Sequence, residues 1–263
     1  MKIKEVTNYL DVVFRPELQE DYDNSGFLLG DPDWECTGAL VSLDLTPAVL
    51  QEAMNTGASL IVTHHPFIFG GVKRITAATE TGRMIMGLID NNIAVYAAHT
   101  NLDSLAWGVS AVLAEKLGLE GCRILKPADG CDDGDTFGFG MVGELRVPVQ
   151  AGSFLDSVKT VLQLPMIRYA GNLGREMKRV AVCGGAGAFL IEEAAKSGAD
   201  IYMTADLKYH DFQRPTRGMV LCDIGHYESE QFAKEIILRT ISEKFSNFAC
   251  RISGMQHGIV SYI

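Results

Sequence analysis

Short β-branched and apolar runs recur along this chain, each followed by a stretch with helical periodicity. That alternation restricts the fold more than any other feature. Residues 39–44, 58–63 and 93–98 are strand-like. After the first, Thr46 offers an N-cap and Pro47 takes the first helical position, which predicts a helix ending at Gly57. Residues 81–91 and 107–117 are helical in pattern, the second stopped by Gly118. Short apolar strands between amphipathic helices define an α/β protein with a largely buried sheet.

The pattern then repeats. Residues 179–183 and 199–204 read as strands, with a helix over 188–197. Thr63 and Thr204 close matching segments 141 residues apart, and the pair His99 and Asp103 recurs as His226 and Glu230 at a spacing of 127. Two matched His-x-x-x-carboxylate pairs favour an internal duplication over chance similarity of apolar strands. The turn formers and acids of 127–135 mark the expected boundary, giving a first α/β domain over 1–127 and a second over 128–263, with the C-terminal helix able to pack back on the first. The spacing of those acids does not fit a calcium loop, so they read as a solvated turn.

Composition narrows the class. The chain is 47% hydrophobic and 21% charged, as in ordinary globular proteins, with a net charge of −10 that argues against a general nucleic-acid or membrane-surface binder. No apolar run reaches the roughly 18 residues of a membrane span. Lys2, Lys4, Glu5 and Asp11 interrupt the N-terminal apolar residues, unlike a secretory signal. Cys36, Cys122, Cys131, Cys183, Cys222 and Cys250 form no C-x-x-C pair, so buried reduced thiols and a cytoplasmic setting are expected.

The chemistry-bearing residues gather where strands end. Four of the six histidines, His64, His65, His99 and His226, follow predicted strands. That is the edge at which open α/β sheets bind ligands. Adjacent His64 and His65 point in different directions and can serve two neighbouring ions. Asp103 and Glu230 each lie four residues after a histidine, on the same face if a helix begins there. Either carboxylate alone reads equally well as a helix cap. Imidazole with carboxylate suits zinc, iron(II) or manganese, and a carboxylate can bridge two ions. Two divalent ions against two carboxylates leave net positive charge for an anionic substrate, and Lys73, Arg74 and Lys208 lie near these loops. The run from Cys183 to Gly187 resembles a phosphate-cradling loop, yet lacks the third Rossmann glycine and the Walker Lys-Ser/Thr, and a tight turn explains it as well.

Asp23-Asn24-Ser25-Gly26, Thr63-His64-His65-Pro66-Phe67, the segment from His99 to Ser104, the segment from Thr204 to His210 and the segment from Gly225 to Glu230 together resemble the Nif-three-like family. Its members are named GTP cyclohydrolase I type 2 homologues, and the resemblance runs from Lys4 to about Phe245. It implies two related α/β domains facing a cleft with a dinuclear metal site, assembled as a toroidal homohexamer. It also implies ligands at His64, His65, Asp103, His226 and Glu230, with Glu230 bridging. The chain is similar to short members that lack a central ferredoxin-like insert.

The expected function is therefore a metal-dependent hydrolase of a nucleotide-like or phosphorylated anionic molecule, holding two divalent ions per subunit. The alternative is a metal-binding scaffold, metallochaperone or regulator using the same ligands. What separates them is an acid–base group beside the ions, for which His99, His210 and Asp206 are the candidates.

Overall fold

The computed structural model describes residues 1–128, 137–214, 216, 218–255, 258 and 260. The chain divides into two compact units, one formed by Met1–Leu102 with Ala233–His257 and the other by Asp103–Phe232 with Gly258–Ile263. Most of the turn-former cluster at 127–135 lies outside the described residues.

In the first unit the strands are β1 (Gly26–Leu29), β2 (Ala39–Ser42), β3 (Leu60–Thr63) and β4 (Ala94–Ala97). Strands β2, β3 and β4 are adjacent and parallel, and β1 pairs antiparallel with the outer edge of β4. Every residue of β2, β3 and β4 is buried, as expected of parallel strands covered on both faces. The helix Pro47–Thr56 joins β2 to β3 as the sequence predicts: Thr46 Oγ1 accepts from Val49 N at 3.3 Å, and Gly57 ends it in the left-handed region. Val49, Leu50 and Ala53 of this helix pack with Met84 and Leu88 of the helix Glu80–Asp90 on Leu40, Ile61 and Val95. Each such buried aliphatic side chain contributes roughly 1.5–3 kcal/mol.

The second unit contains β5 (Glu120–Pro127), β6 (Gly138–Gln150), β7 (Arg168–Ala170), β8 (Glu176–Ala186), β9 (Ile201–Ala205) and β10 (Val220–Asp223). Among the described residues they form one sheet in the order β5-β6-β8-β9-β10-β7. Here too three parallel strands, β8, β9 and β10, lie side by side, and an antiparallel strand, β7, covers the outer edge of the third. Alternation along β8 divides the core. Val180 and Val182 face Phe154, Leu155 and Val158 of the helix Ala151–Leu162, while Ala181 and Cys183 face Ile191, Ala194 and Ala195 of the helix Ile191–Lys196.

After the second unit the chain returns to the first as the helix Ala233–Lys244 and β11 (Cys250–Ile252), which pairs parallel with β2. Among the described residues no helix is long and apolar enough to cross a membrane. Cys36, Cys183 and Cys222 are buried, as expected, and Cys250 is partly buried. Cys122 corrects the expectation: it lies exposed on the edge strand β5. Cys131 falls outside the described residues.

Candidate metal centre

Within the first unit, His64 and His65 follow β3 directly and His99 follows the end of β4 by two residues. One ligand atom from each of the three lies within 4.8 Å of the others, a group that can hold a metal ion. Their ring centroids are 5.0 to 5.5 Å apart. His64 is fully buried. Its Nδ1 donates to the carbonyl of Ala98 at 2.7 Å. Nδ1 of His65 donates to Asp44 Oδ1 at 2.7 Å, and Nδ1 of His99 to Asp23 Oδ1 at 2.7 Å. Carbonyls and carboxylates only accept, so the proton of each neutral ring sits on Nδ1 and metal coordination falls to Nε2.

Asp23 is the most strongly organised of these partners. Its side chain is shut off from solvent. It also accepts from the Thr100 backbone N–H at 3.0 Å, the Thr100 hydroxyl and the Asn24 N–H. Burial pushes its pKa up, but the hydrogen bonds from His99 and Thr100 outweigh that and hold it well below the usual carboxylate range.

In the second unit the one-turn helix His226–Glu230 begins after β10. It realises the predicted i, i+4 geometry: His226 Nε2 is 3.0 Å from Glu230 Oε2. On the other side of the ring, Nδ1 lies 2.8 Å from Asp206 Oδ2. Burial disfavours the charged ring, yet Glu230 and then Asp206 outweigh it and raise the pKa of His226 to about 9. Asp103 sits on the short helix Thr100–Ser104, and one of its carboxylate oxygens lies within 4.8 Å of one from Glu230. Burial, with the added negative charge of Asp103 and Glu230, pushes the Cys183 thiol up to about 12 and leaves it inert.

The glycine-rich segment at the end of β8 serves Glu230. A Cβ on Gly185, whose φ is 61°, would lie 2.0 Å from Glu230 Oε1. The amides of Gly184 and Gly185 donate to Ser110 Oγ and Ser229 Oγ, so these two are committed within the unit and do not cradle a phosphate. Cys183 to Ala186 are the last residues of β8, and only Gly187 separates the strand from the 3-10 turn Ala188–Leu190.

The remaining predicted residues sort differently. Asp206 acts on His226. His210 is exposed, with Nδ1 3.3 Å from Gln213 Oε1, and belongs to none of the metal-capable groups among the described residues. Lys73, Arg74 and Lys208 are exposed. Sequence reasoning missed Asp44 and did not give Asp23 a role. An acidic residue two positions past a buried strand, as Asp44 is past β2, is the signal that would have found the first.

Fold and site define a mixed α/β protein with two sheets and with histidine and carboxylate groups that can hold a metal at the carboxyl ends of its parallel strands. The chain belongs to the Duf34/NIF3 (NGG1p interacting factor 3) family, which it matches over residues 1–257. A relative from Clostridium perfringens, named GTP cyclohydrolase 1 type 2 homolog, is 36% identical over 235 residues, covering 88% of this chain and 87% of the relative. A Bacillus cereus protein related to NIF3 has the same fold, with a TM-score of 0.93 at 24% identity over 100% of this chain and 99% of that one. A Staphylococcus aureus structure superposes with a TM-score of 0.90 at 28% identity over 100% of this chain and 99% of that one.

Proposed function

We propose that this protein is a dinuclear metal-dependent hydrolase acting on a nucleotide-like or phosphorylated anionic molecule. His64, His65, Asp103, His226 and Glu230 would hold two divalent ions, with Glu230 the ligand common to both. One observation carries the reading: each of the four strand-end histidines has Nδ1 engaged by an acceptor, namely Ala98 O, Asp44, Asp23 or Asp206. Metal-ligating histidines are characteristically held this way, because the second nitrogen fixes tautomer and ring direction. The donor set of imidazoles and carboxylates fits zinc, iron(II) or manganese.

Divalent ions bound there supply Lewis acidity and positive charge for hydrolysis of a phosphoester, an amide or a ring C–N bond. The protein's own part is orientation and proton handling. Asp44 and Asp206 aim His65 and His226. The Asp23–His99 pair keeps Nδ1 protonated and leaves Nε2 beside His64 and His65 as the nitrogen that takes a proton from water and passes it to a leaving group.

The two units derive from one ancestral α/β unit in this reading. Its support is the shared order of three parallel strands with an antiparallel strand on the third, and the equivalent placement of His99 after β4 and His226 after β10. Family resemblance adds a homohexameric assembly, which sedimentation would read directly.

The deciding experiment is metal analysis of anaerobically purified protein followed by a panel of nucleotides and phosphoesters. Two ions per chain, loss of at least one in Glu230→Ala and turnover that depends on them support the proposal. Two ions without turnover leave a metal-binding scaffold or regulator.

A further inference from the structure

Asp206 carries a φ of 57°, a left-handed conformation that L residues avoid. Strain of this kind persists where surrounding groups over-determine the backbone. Here Leu207, the residue after Asp206, is gripped at both its N–H and its carbonyl. Leu207 N donates to Asp223 Oδ2 at 3.1 Å, and Leu207 O accepts from Arg168 Nη2 at 3.0 Å. Arg168 Nη1 donates to the same Asp223 oxygen at 3.1 Å, the two residues being opposite one another on β7 and β10. The second oxygen of Asp223 accepts from Gly225 N at 3.1 Å. One buried carboxylate thus ties the residue after Asp206 to the residue before His226.

We propose that Arg168 and Asp223 are positioning residues for the metal centre. They hold Asp206 in its left-handed conformation and fix it against His226 Nδ1, which aims His226 Nε2 toward Glu230 and a divalent ion. The metal clause rests on the function proposed above; the clasp on Asp206 and His226 does not. An ion pair serving only the sheet edge would change stability and leave the imidazole where it is.

The test has a metal-free arm and a metal arm. By NMR at pH 7, the ring Nδ1–H of His226 in metal-free protein gives a slowly exchanging resonance that Asp206→Ala abolishes. Asp223→Asn and Arg168→Met are expected to shift it and speed its exchange, and Arg168→Lys to recover it in part. In the metal arm, zinc competition titrations should show Asp223→Asn weakening binding about 10- to 100-fold, the usual scale for a residue that orients a ligand. On the Asp206→Ala background the same change should cost no more than about 3-fold, because the clasp acts through Asp206. An unchanged Nδ1–H resonance in both clasp variants, or equal affinity losses in both backgrounds, overturns the inference. Wild-type protein that binds no zinc removes the metal reading and leaves the NMR arm to decide the clasp. If Asp223→Asn does not fold, Arg168→Met carries the test, since Arg168 is 52% exposed on the edge strand.

Discussion

His226 Nδ1 stands 2.8 Å from Asp206 Oδ2, so this imidazole, on the helix after β10, is oriented by a carboxylate that follows β9, the parallel neighbour of β10. Its other nitrogen lies 3.0 Å from Glu230 Oε2. A ring between two carboxylates keeps its proton: burial opposes the charge, but Glu230 and Asp206 raise the pKa to about 9.

The first prediction follows from that proton. Near pH 7 the metal-free protein carries a charged His226, and an ion must displace its Nε2 proton to coordinate there. Zinc binding should release this proton, detected by titration calorimetry in buffers of different ionisation enthalpy, and His226→Gln should remove it. The sign for stability is set by the raised pKa. The charged ring stabilises the metal-free fold fully below the ordinary histidine value near ~6.5, and the contribution is lost as pH rises through about 9. The Tm of metal-free wild type should therefore fall between pH 7 and 10 more steeply than that of His226→Gln. Parallel curves would refute the assignment.

Gly185 gives the second. Its φ of 61° and the 2.0 Å approach of Glu230 Oε1 to an added Cβ leave no room for a side chain. Gly185→Ala should displace Glu230, cut bound metal to one ion or fewer per chain, and destabilise by about 1–3 kcal/mol. Gly57→Ala is the control: its φ of 69° is also left-handed, but nothing lies within 4 Å of the new Cβ. It should cost about 1 kcal/mol and leave the metal content unchanged. Equal metal loss in both would mean that strain alone is responsible.

The strand-end histidines and the helical turn that brings His226 onto Glu230 were readable because strand and helix periods act locally. The helices Pro47–Thr56 and Glu80–Asp90 were readable for the same reason. Strands β6 and β7 were not. The first opens among glycines and passes from a buried first half to a largely exposed second half, with no period of two, and the second is three residues long and gains its identity by pairing with β10. The return of the helix Ala233–Lys244 and β11 to the first unit depends on a pairing with β2 more than 200 residues away, which no local pattern encodes. Asp44 and Asp23 reach their histidines across 21 and 76 residues. Spacing reveals histidines and carboxylates that share a helical turn and hides the carboxylates that aim the rings from afar.

Asp44 carries the third prediction. Its carboxylate is 41% exposed, so replacing it removes little packing. Asp44→Ala should leave the Tm within a degree or two of wild type. It should weaken the affinity for the ion that His65 would hold about 10- to 100-fold, because His65 loses the acceptor on Nδ1. Chelator competition with cobalt as the probe measures this. Unchanged affinity would show that packing alone orients His65.

The last prediction concerns His99, which the structure groups with His64 and His65 and which the proposed function uses for proton handling. A ligand and a proton carrier differ in what their loss removes. With Asp23 fixing Nδ1, the working atom of His99 is Nε2, and His99→Asn keeps a polar side chain while deleting that nitrogen. Near-normal metal content is expected, with any hydrolytic rate reduced on the order of 100-fold, the scale for losing a general acid or base. Asp23→Asn should reproduce most of the rate loss. It should also destabilise the fold by about 2 kcal/mol at neutral pH, since a fully buried, charge-assisted hydrogen-bond acceptor is lost. The acid limb separates the two variants further. Asp23 has a pKa depressed by folding, so its contribution is present above the unfolded value near ~3.9 and disappears as pH falls below it. Wild type should lose stability in that range, His99→Asn should lose less because His99 is the main group that lowers this pKa, and Asp23→Asn should lose least. Collapse of metal binding in His99→Asn, to the level reached by His65→Ala, would make His99 a ligand and end its role as the proton carrier.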